Sequence, residues 1–187
     1  MILANYLIGS LPFGLIVSKI LQGIDPREKG SGNIGATNVL RVVGKKAAIL
    51  TLFFDLVKGL PLIIVARQLG FNERTILLVA FAAILGHIFS IFLKFKGGKG
   101  VATSFGIILI LAPHIALIGL VLWGGGVFFG KYSSVGALTA FGALPFLAFF
   151  SQKETDFILF ATLVTFLVYL RHWGNIHRLI QGKKGAV

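Results

Sequence analysis

Two glycine-rich segments carry most of the side chains that could bind an anion. The first segment, residues 30–41, combines glycines with hydroxyl and amide side chains and has an arginine at its exit. Glycines permit the left-handed backbone that turns consecutive N–H groups toward one point, and neighbouring side chains add donors. We therefore predict a phosphate cradle here; the alternative, a flexible linker, seldom interleaves such residues. Its candidate ligands are Gly30, Ser31, Gly32, Asn33, Gly35, Thr37, Asn38 and Arg41.

The second segment, residues 94–104, places three lysines beside glycines immediately before an apolar stretch. Fixed charge and the unpaired N–H groups of a first helical turn both attract an anion. A positively charged membrane anchor is the alternative, and it accounts for Lys94 and Lys96 but not for the Gly-Gly-Lys-Gly core. We predict a second phosphate site, with the candidate ligands Gly97, Gly98, Lys99 and Gly100.

Three ionisable residues lie inside apolar segments, where a charge is costly and usually functional. Asp55 and Lys58 are three residues apart, so on a helix they share a face and can form an ion pair that supports the structure. His87 lies seven residues before the first lysine of the second segment, and we expect it to orient a substrate group or accept a proton. A hydrogen bond across helices is the alternative role for His87.

The composition indicates what kind of protein must position these residues. The chain has 187 residues, of which 56% are hydrophobic and 13% charged, and its mean hydropathy is +0.92. These values are typical of a membrane protein, and no room remains for a separate soluble domain, so residues 1–187 are one membrane domain. The net charge of +12 does not predict nucleic acid, because the basic residues lie between apolar runs, where they contact membrane lipid. The chain lacks cysteine and its few aspartates are scattered, so we predict no metal site and no cofactor.

The apolar runs predict an all-α integral membrane protein with seven transmembrane helices. The fourth run ends at Pro113, so we expect it to be short, kinked or only partly inserted. The first run lacks the basic start of a secretory signal and is expected to be a retained span. The predicted spans are 1–21, 47–68, 75–93, 101–112, 114–130, 134–150 and 156–171.

The distribution of basic residues predicts the orientation. The loop after the first span and the other loops on its side hold fourteen lysines and arginines, against three on the opposite side. The positive-inside rule then places the N-terminus outside, the C-terminus in the cytoplasm and both glycine segments at the cytoplasmic face. The fourteen are Lys19, Arg27, Lys29, Arg41, Lys45, Lys46, Lys94, Lys96, Lys99, Lys131, Arg171, Arg178, Lys183 and Lys184.

A membrane carrier for an organic phosphate anion is the alternative to an enzyme. Cationic loops and an intramembrane Asp55–Lys58 pair would also suit transport. The opposite face offers only Arg67, Arg74 and Lys153 and no cradle, and the two halves lack matching interrupted helices. These features favour an enzyme over a carrier.

In order and spacing, the motifs resemble those of the PlsY family of bacterial acyl-phosphate:glycerol-3-phosphate acyltransferases. The matching motifs are residues 30–41, Asp55-Leu56-Val57-Lys58-Gly59, Gly86-His87-Ile88-Phe89 and residues 95–103, and the resemblance runs from Gly9 to Leu179. It implies a seven-helix enzyme of the bacterial cell membrane. That enzyme would move an acyl group from acyl phosphate to the 1-hydroxyl of glycerol 3-phosphate, giving lysophosphatidic acid and phosphate, with an acyl-phosphate-forming enzyme upstream.

Carried over by motif, the resemblance implies roles for individual residues. Ser31 and Gly32 would hold the acyl-phosphate group, and Arg41 and Lys99 would contact phosphate. Glycerol 3-phosphate would be bound by Ser134 and Asn175, with His172 or His177 as a helper. The chain departs from the family pattern at three places: the family usually has Pro where this chain has Ser90, Ala-Ser near where it has Gly136-Ala137, and Arg-Glu where it has Trp173-Gly174.

An acyl phosphate is already activated, so the enzyme needs no covalent nucleophile. With no cysteine and no evident Ser-His-Asp set, we expect direct attack by the hydroxyl of glycerol 3-phosphate. The catalytic residues in this scheme are Ser31, His87 and Lys99, which stabilise the departing phosphate and the developing oxyanion or handle the proton. A substrate phosphate is the alternative base.

Overall fold

The computed structural model describes residues 1–182, and over that range the regular structure is helical. The fourteen basic residues used to predict the orientation include Lys183 and Lys184, which lie outside the described residues. The helices are α1 Ile2–Gly9, α2 Phe13–Gln22, α3 Ala36–Val42, α4 Lys45–Val57, α5 Leu60–Gln68, α6 Glu73–Ile88, α7 Val101–Leu111, α8 Pro113–Gly130, α9 Ser133–Phe150, α10 Thr155–Arg171 and α11 Trp173–Ile180.

Five segments of the described chain are long and apolar enough to cross a membrane: Ile2–Gln22, Lys45–Gln68, Glu73–Leu93, Pro113–Gly130 and Ser133–Phe150. A sixth is obtained if α10 and α11, which meet at an angle of 59°, count as one. α7 has only 11 residues, in agreement with the prediction that the fourth span is short. The chain is therefore an all-helical membrane protein.

Two of the predicted spans are broken helices. The first span divides into α1 and α2 around Ser10–Pro12, and the second into α4 and α5 at Lys58 and Gly59. Pro12 and Pro61 lack the N–H that would donate to the carbonyl group four residues earlier, which favours a break in each helix. At the breaks, two carbonyl groups accept hydrogen bonds from side chains: the Asn5 amide donates to Gly59 O at 3.2 Å, and the Ser90 hydroxyl donates to Ser10 O at 2.6 Å.

The hydroxyl at position 90, one of the departures from the family pattern, thus has a structural role. A proline there would have no donor for the Ser10 carbonyl. The departure at Gly136 also has a consequence, because a Cβ at this position would clash with the carbonyl oxygen of Trp123 on α8. Small residues let helix backbones approach closely in lipid, where no hydrophobic effect drives association. Gly136 therefore allows α8 and α9 to pack together beside the site.

Two short helices, α3 and α11, were not predicted from the sequence. α3 forms the second half of the first glycine segment, and its Val39, with Val43 just after the helix, packs with Val17 on α2 and Ala47 on α4. α11 is amphipathic: Trp173 and Ile180 are exposed on one face, while Asn175 on the other is buried. Both helices hold functional side chains against the ends of the spans.

Candidate active site

A cavity of about 750 Å³ is lined by residues of both glycine segments, by residues of the six helices α3, α4, α6, α7, α8 and α9, and by His172. The cavity wall has a polar part and an apolar part. The polar and charged side chains are Ser31, Asn33, Thr37, Asn38, Arg41, Lys45, Asp55, His87, Lys99, Ser133, Ser134 and His172. The large apolar side chains are Leu40, Ile49, Leu52, Leu56, Phe105, Leu120, Trp123 and Val127. Such a cavity can accommodate a molecule with an anionic head and an apolar chain.

The first glycine segment folds around the side chain of Asn38, which is buried. Its Oδ1 accepts a hydrogen bond from the Ser31 N–H at 2.8 Å, and its Nδ2 donates to the carbonyls of Pro26 and Asn33, both at 2.8 Å. Nδ2 also lies 3.2 Å from the carbonyl oxygen of Lys29. The segment is thus a folded loop, contrary to the linker alternative.

Glycine is required at two positions of this loop. Gly30 and Gly32 have φ angles of +61° and +69°, in the left-handed region that the cradle prediction assumed. Asn33 Oδ1 accepts the Gly35 N–H at 2.8 Å, so this amide, like that of Ser31, is used within the loop. The loop therefore presents side chains to the cavity, chiefly the hydroxyls of Ser31 and Thr37.

The second glycine segment is fixed between α6 and the end of α10. The N–H of Gly97 donates to Ile88 O at 3.1 Å, and that of Gly98 to His87 O at 3.0 Å. The Arg171 guanidinium donates to both glycine carbonyls, at 2.9 and 3.2 Å. Gly97, Gly98 and Gly100 are not among the cavity-lining residues, and the hydrogen bonds of the first two hold Lys99 in place at the cavity wall.

Lys99 is surrounded by cations. Its Nζ donates to Asn175 Oδ1 at 2.6 Å. Burial, with Arg178, Arg171 and Arg41 nearby, lowers the pKa of the Lys99 ammonium from its usual value to about 8. In the described part of the chain, no carboxylate forms a salt bridge with Lys99, Arg171 or Arg178. The partly buried cation cluster formed by Lys99, Arg171 and Arg178 is therefore suited to binding an anion.

The start of α9 contributes a buried hydroxyl to the same wall. Ser134 is buried, and its Oγ has no hydrogen-bond partner within the described residues. A buried hydroxyl without a partner is costly, and a bound ligand would satisfy it. The predicted ligand Ser134 thus lines the same cavity as Lys99, and the predicted ligand Asn175 accepts a hydrogen bond from Lys99.

The structure separates the two histidines that were considered together. His172 lines the cavity, whereas His177 is exposed and accepts a hydrogen bond from Gln181 at 2.7 Å.

The predicted Asp55–Lys58 ion pair is confirmed, with a separation of 2.8 Å. Sequence reasoning missed Lys45 and Ser133, which also line the cavity. A lysine at the start of a span is indistinguishable in sequence from an orientation signal.

Comparison with known proteins agrees with this arrangement. The family model for glycerol-3-phosphate acyltransferase matches residues 1–182. A glycerol-3-phosphate acyltransferase from Neisseria meningitidis serogroup A is 50% identical over 188 residues, covering 98% of this chain and 94% of the relative.

Two crystal structures of PlsY (YgiH), an integral membrane glycerol 3-phosphate acyltransferase, are similar over their whole length. The glycerol 3-phosphate form has a TM-score of 0.93 at 35% identity and covers 100% of this chain and 93% of the other. The lysophosphatidic acid form has a TM-score of 0.90 at 34% identity, covering 99% and 92%. With its motifs, cavity and full-length similarity in agreement, the chain belongs to the PlsY family of integral membrane glycerol-3-phosphate acyltransferases.

Proposed function

We propose that the protein transfers an acyl group from acyl phosphate to the 1-hydroxyl of glycerol 3-phosphate, releasing phosphate and lysophosphatidic acid. The observation that carries this proposal is the cation cluster around Lys99. Lys99 itself lines a cavity whose wall has a large apolar part. Both substrates have an anionic phosphate, and one of them also has a long apolar chain. Membership of the acyltransferase family supports the reaction class.

The two substrates divide the cavity between them. The phosphate of the acyl donor would bind at Ser31, Thr37 and Arg41 of the first glycine segment. Glycerol 3-phosphate would bind at Ser134 and at the Lys99–Asn175 pair, and both Ser134 and Lys99 line the cavity. This division uses each glycine segment for one phosphate, as the sequence predicts.

The acyl chain would lie between α4 and α8. Leu52 on α4 and Leu120 on α8 both line the cavity, and each is 44% exposed at the protein surface. Exposed apolar side chains on membrane-spanning helices face the lipid. The acyl donor could therefore reach the site sideways from the membrane without its chain passing through water.

The reaction needs no acyl-enzyme. The 1-hydroxyl oxygen forms a bond to the acyl carbon, the bond between that carbon and the phosphate oxygen breaks, and the hydroxyl proton passes to a base, for which the departing phosphate is one candidate. Cations and hydroxyl donors stabilise the oxyanion and the leaving phosphate, and each good donor contributes about 3 kcal/mol to lowering the barrier. A radiolabelled acyl group trapped on Ser31 would contradict direct transfer.

We further propose seven membrane crossings, with the N-terminus outside and the active site at the cytoplasmic face. Lys99 before α7 and Ser134 at the start of α9 line the same cavity, so α7 and α8 together must cross the membrane and return. With 11 residues, α7 is only about 17 Å long, which favours a second glycine segment that lies below the membrane surface.

The absence of cysteine allows a direct test of this topology. A Lys153→Cys variant should react with a membrane-impermeant maleimide in intact cells, because Lys153 lies in the predicted outer loop after α9. The matched Lys29→Cys variant should react only after the cells are permeabilised. The reverse pattern would place the active site outside.

The activity itself is tested by incubating the purified protein with acyl phosphate and glycerol 3-phosphate. Lysophosphatidic acid should form, and His114→Ala should react at the same rate, because His114 is an exposed residue at the start of α8 and is not among the cavity-lining residues. Product formed only from acyl-CoA would contradict the proposed donor. Uptake of labelled glycerol 3-phosphate into proteoliposomes without a donor would support the carrier instead.

The activity should decline above about pH 8. The lowered pKa of Lys99 means that its ammonium is charged below about pH 8 and neutral above it. Only the charged form attracts a phosphate dianion, so kcat/KM for glycerol 3-phosphate, which reports the free enzyme, should fall through this pH. A pH profile measures this directly. In a Lys99→Arg variant, whatever its absolute rate, the decline should shift to higher pH, since arginine stays protonated. An unchanged pH profile would assign the decline in activity to another group.

A further inference from the structure

A buried three-residue cluster adjoins the polar part of the cavity. Lys58 Nζ lies 2.8 Å from Asp55 Oδ1, 2.8 Å from His87 Nδ1 and 3.1 Å from the carbonyl oxygen of Leu11. The side chains of Asp55, Lys58 and His87 are 2–4% exposed. Leu11 lies in the break between α1 and α2, so the broken first span supplies one of the three acceptors.

These contacts determine which nitrogen of His87 carries the proton. An ammonium has three donors and no acceptor, and Lys58 has three partners. The Asp55 carboxylate and the Leu11 carbonyl can only accept. His87 Nδ1 lies 3.6 Å from Asp55 Oδ1, too far to donate a hydrogen bond to it, so Nδ1 accepts the third hydrogen bond of the ammonium with its lone pair. The neutral imidazole then carries its proton on Nε2.

The opposite arrangement would be costly. A neutral Lys58 amine could accept a hydrogen bond from a protonated Nδ1 of His87. The buried Asp55 carboxylate would then lose its cation, and an uncompensated buried charge is strongly destabilising. The charged ammonium and the Nε2–H form of His87 are therefore favoured together.

The protonated Nε2 lies against the second glycine segment. A Cβ added to Gly98 would clash with His87 Nε2, so only glycine leaves space around this atom. His87 lines the cavity, and the only hydrogen bond that its ring makes within the described residues is at Nδ1. An oxygen of a ligand bound in the cavity is the natural partner for the remaining N–H.

The other cavity-lining histidine carries its proton on the other ring nitrogen. His172 Nδ1 lies 2.8 Å from the carbonyl oxygen of Val168, which can only accept a hydrogen bond. Its proton is therefore on Nδ1, and its Nε2 carries a lone pair. One imidazole of the cavity is a donor at Nε2 and the other an acceptor.

We propose that Lys58 is a positioning residue that fixes His87 in the Nε2–H form, and that this N–H donates a hydrogen bond to an oxygen of the bound acyl phosphate. This role rests on the proposed function. His87 stabilises charge that develops during transfer and does not remove the proton of the attacking hydroxyl. The pair Asp55–Lys58 thereby acts on the reaction through His87.

The protonation state is tested without any substrate. In protein labelled with ¹⁵N at histidine and held in micelles, the ring nitrogens report which of them is protonated, and the His87 signals are those lost in His87→Gln. We expect His87 to carry its proton on Nε2 and His172 on Nδ1. In the charge-neutral double variant Asp55→Asn/Lys58→Met, the preference at His87 should be lost. A wild-type His87 protonated at Nδ1 would overturn the proposal.

The role in catalysis is tested by two substitutions at His87. Glutamine can keep an N–H donor near the position of Nε2, whereas leucine cannot. We expect His87→Leu to lower kcat by about 10²-fold or more, as removal of one oxyanion donor does, and His87→Gln to keep most of the rate. The double variant at Asp55 and Lys58 should lose about 10–100-fold in kcat with little change in KM, as for other orienting partners.

The matched controls are His114→Leu and His114→Gln, which should leave the rate unchanged. Equal losses for leucine and glutamine at position 87, in variants that unfold at the wild-type temperature, would contradict the donor role. The two proposals fail separately. A protein that makes no lysophosphatidic acid contradicts the proposed function, whereas an active enzyme with His87 protonated at Nδ1 contradicts only this inference.

Discussion

Lys99→Met is expected to lower kcat/KM for glycerol 3-phosphate by about 10²- to 10³-fold. Methionine keeps an unbranched stem of similar length and removes the charge. Lys99 is the member of the cation cluster that lines the cavity from the second glycine segment, and its Nζ lies 2.6 Å from Asn175 Oδ1. Its loss removes a fixed charge from the phosphate and leaves the buried Asn175 carbonyl without its donor. Steady-state rates with both substrates varied give the size of the loss.

The matched control is Lys96→Met. Lys96 lies in the same segment, and its substitution removes the same charge. However, Lys96 is exposed and is not among the cavity-lining residues. Its activity should be close to that of the unsubstituted protein. Equal losses in the two variants would mean that the segment acts through its total charge at the membrane surface, and would remove Lys99 from the site.

Much of the site could be predicted because its residues are close in sequence. Each glycine segment contains its own donors, and the excess of basic residues predicts that both segments lie on one side of the membrane. In the structure, residues of both segments line one cavity. The pairing of Asp55 with Lys58 followed from helical spacing alone. The position of His172 on the cavity wall could not be predicted in this way, because it depends on how α10 packs against α6.

The helix breaks could not be predicted, because hydropathy measures side-chain transfer and is insensitive to where backbone hydrogen bonds end. Leu11 and Gly59 look like ordinary positions of apolar runs, yet their carbonyls accept hydrogen bonds from Lys58 and Asn5. Whether the Asn38 side chain binds a ligand or folds the loop could not be predicted either. An asparagine in a glycine loop has the same sequence signature whether it binds a ligand or folds the loop.

Asn38 shows how the loop separates folding from binding. Its side chain is buried and bonded to backbone groups on three sides, so it holds the conformation from which Ser31 and Thr37 line the cavity. Aspartate has the same shape and can still accept the Ser31 N–H through one oxygen. It has no donor for the carbonyls of Pro26 and Asn33 and would add a buried charge.

Asn38→Asp is therefore expected to lower kcat/KM by at least about 10²-fold, because two carbonyl groups left without donors cost about 1–3 kcal/mol each. Limited proteolysis should at the same time cut the loop between α2 and α3 faster than in the unsubstituted protein. Asn72→Asp is the control: Asn72 Oδ1 caps α6 by accepting the Thr75 N–H at 2.9 Å, and aspartate caps a helix equally well. That variant should keep its activity and its resistance to protease. If Asn38→Asp lost activity while the loop stayed resistant to protease, Asn38 would bind substrate and not fold the loop.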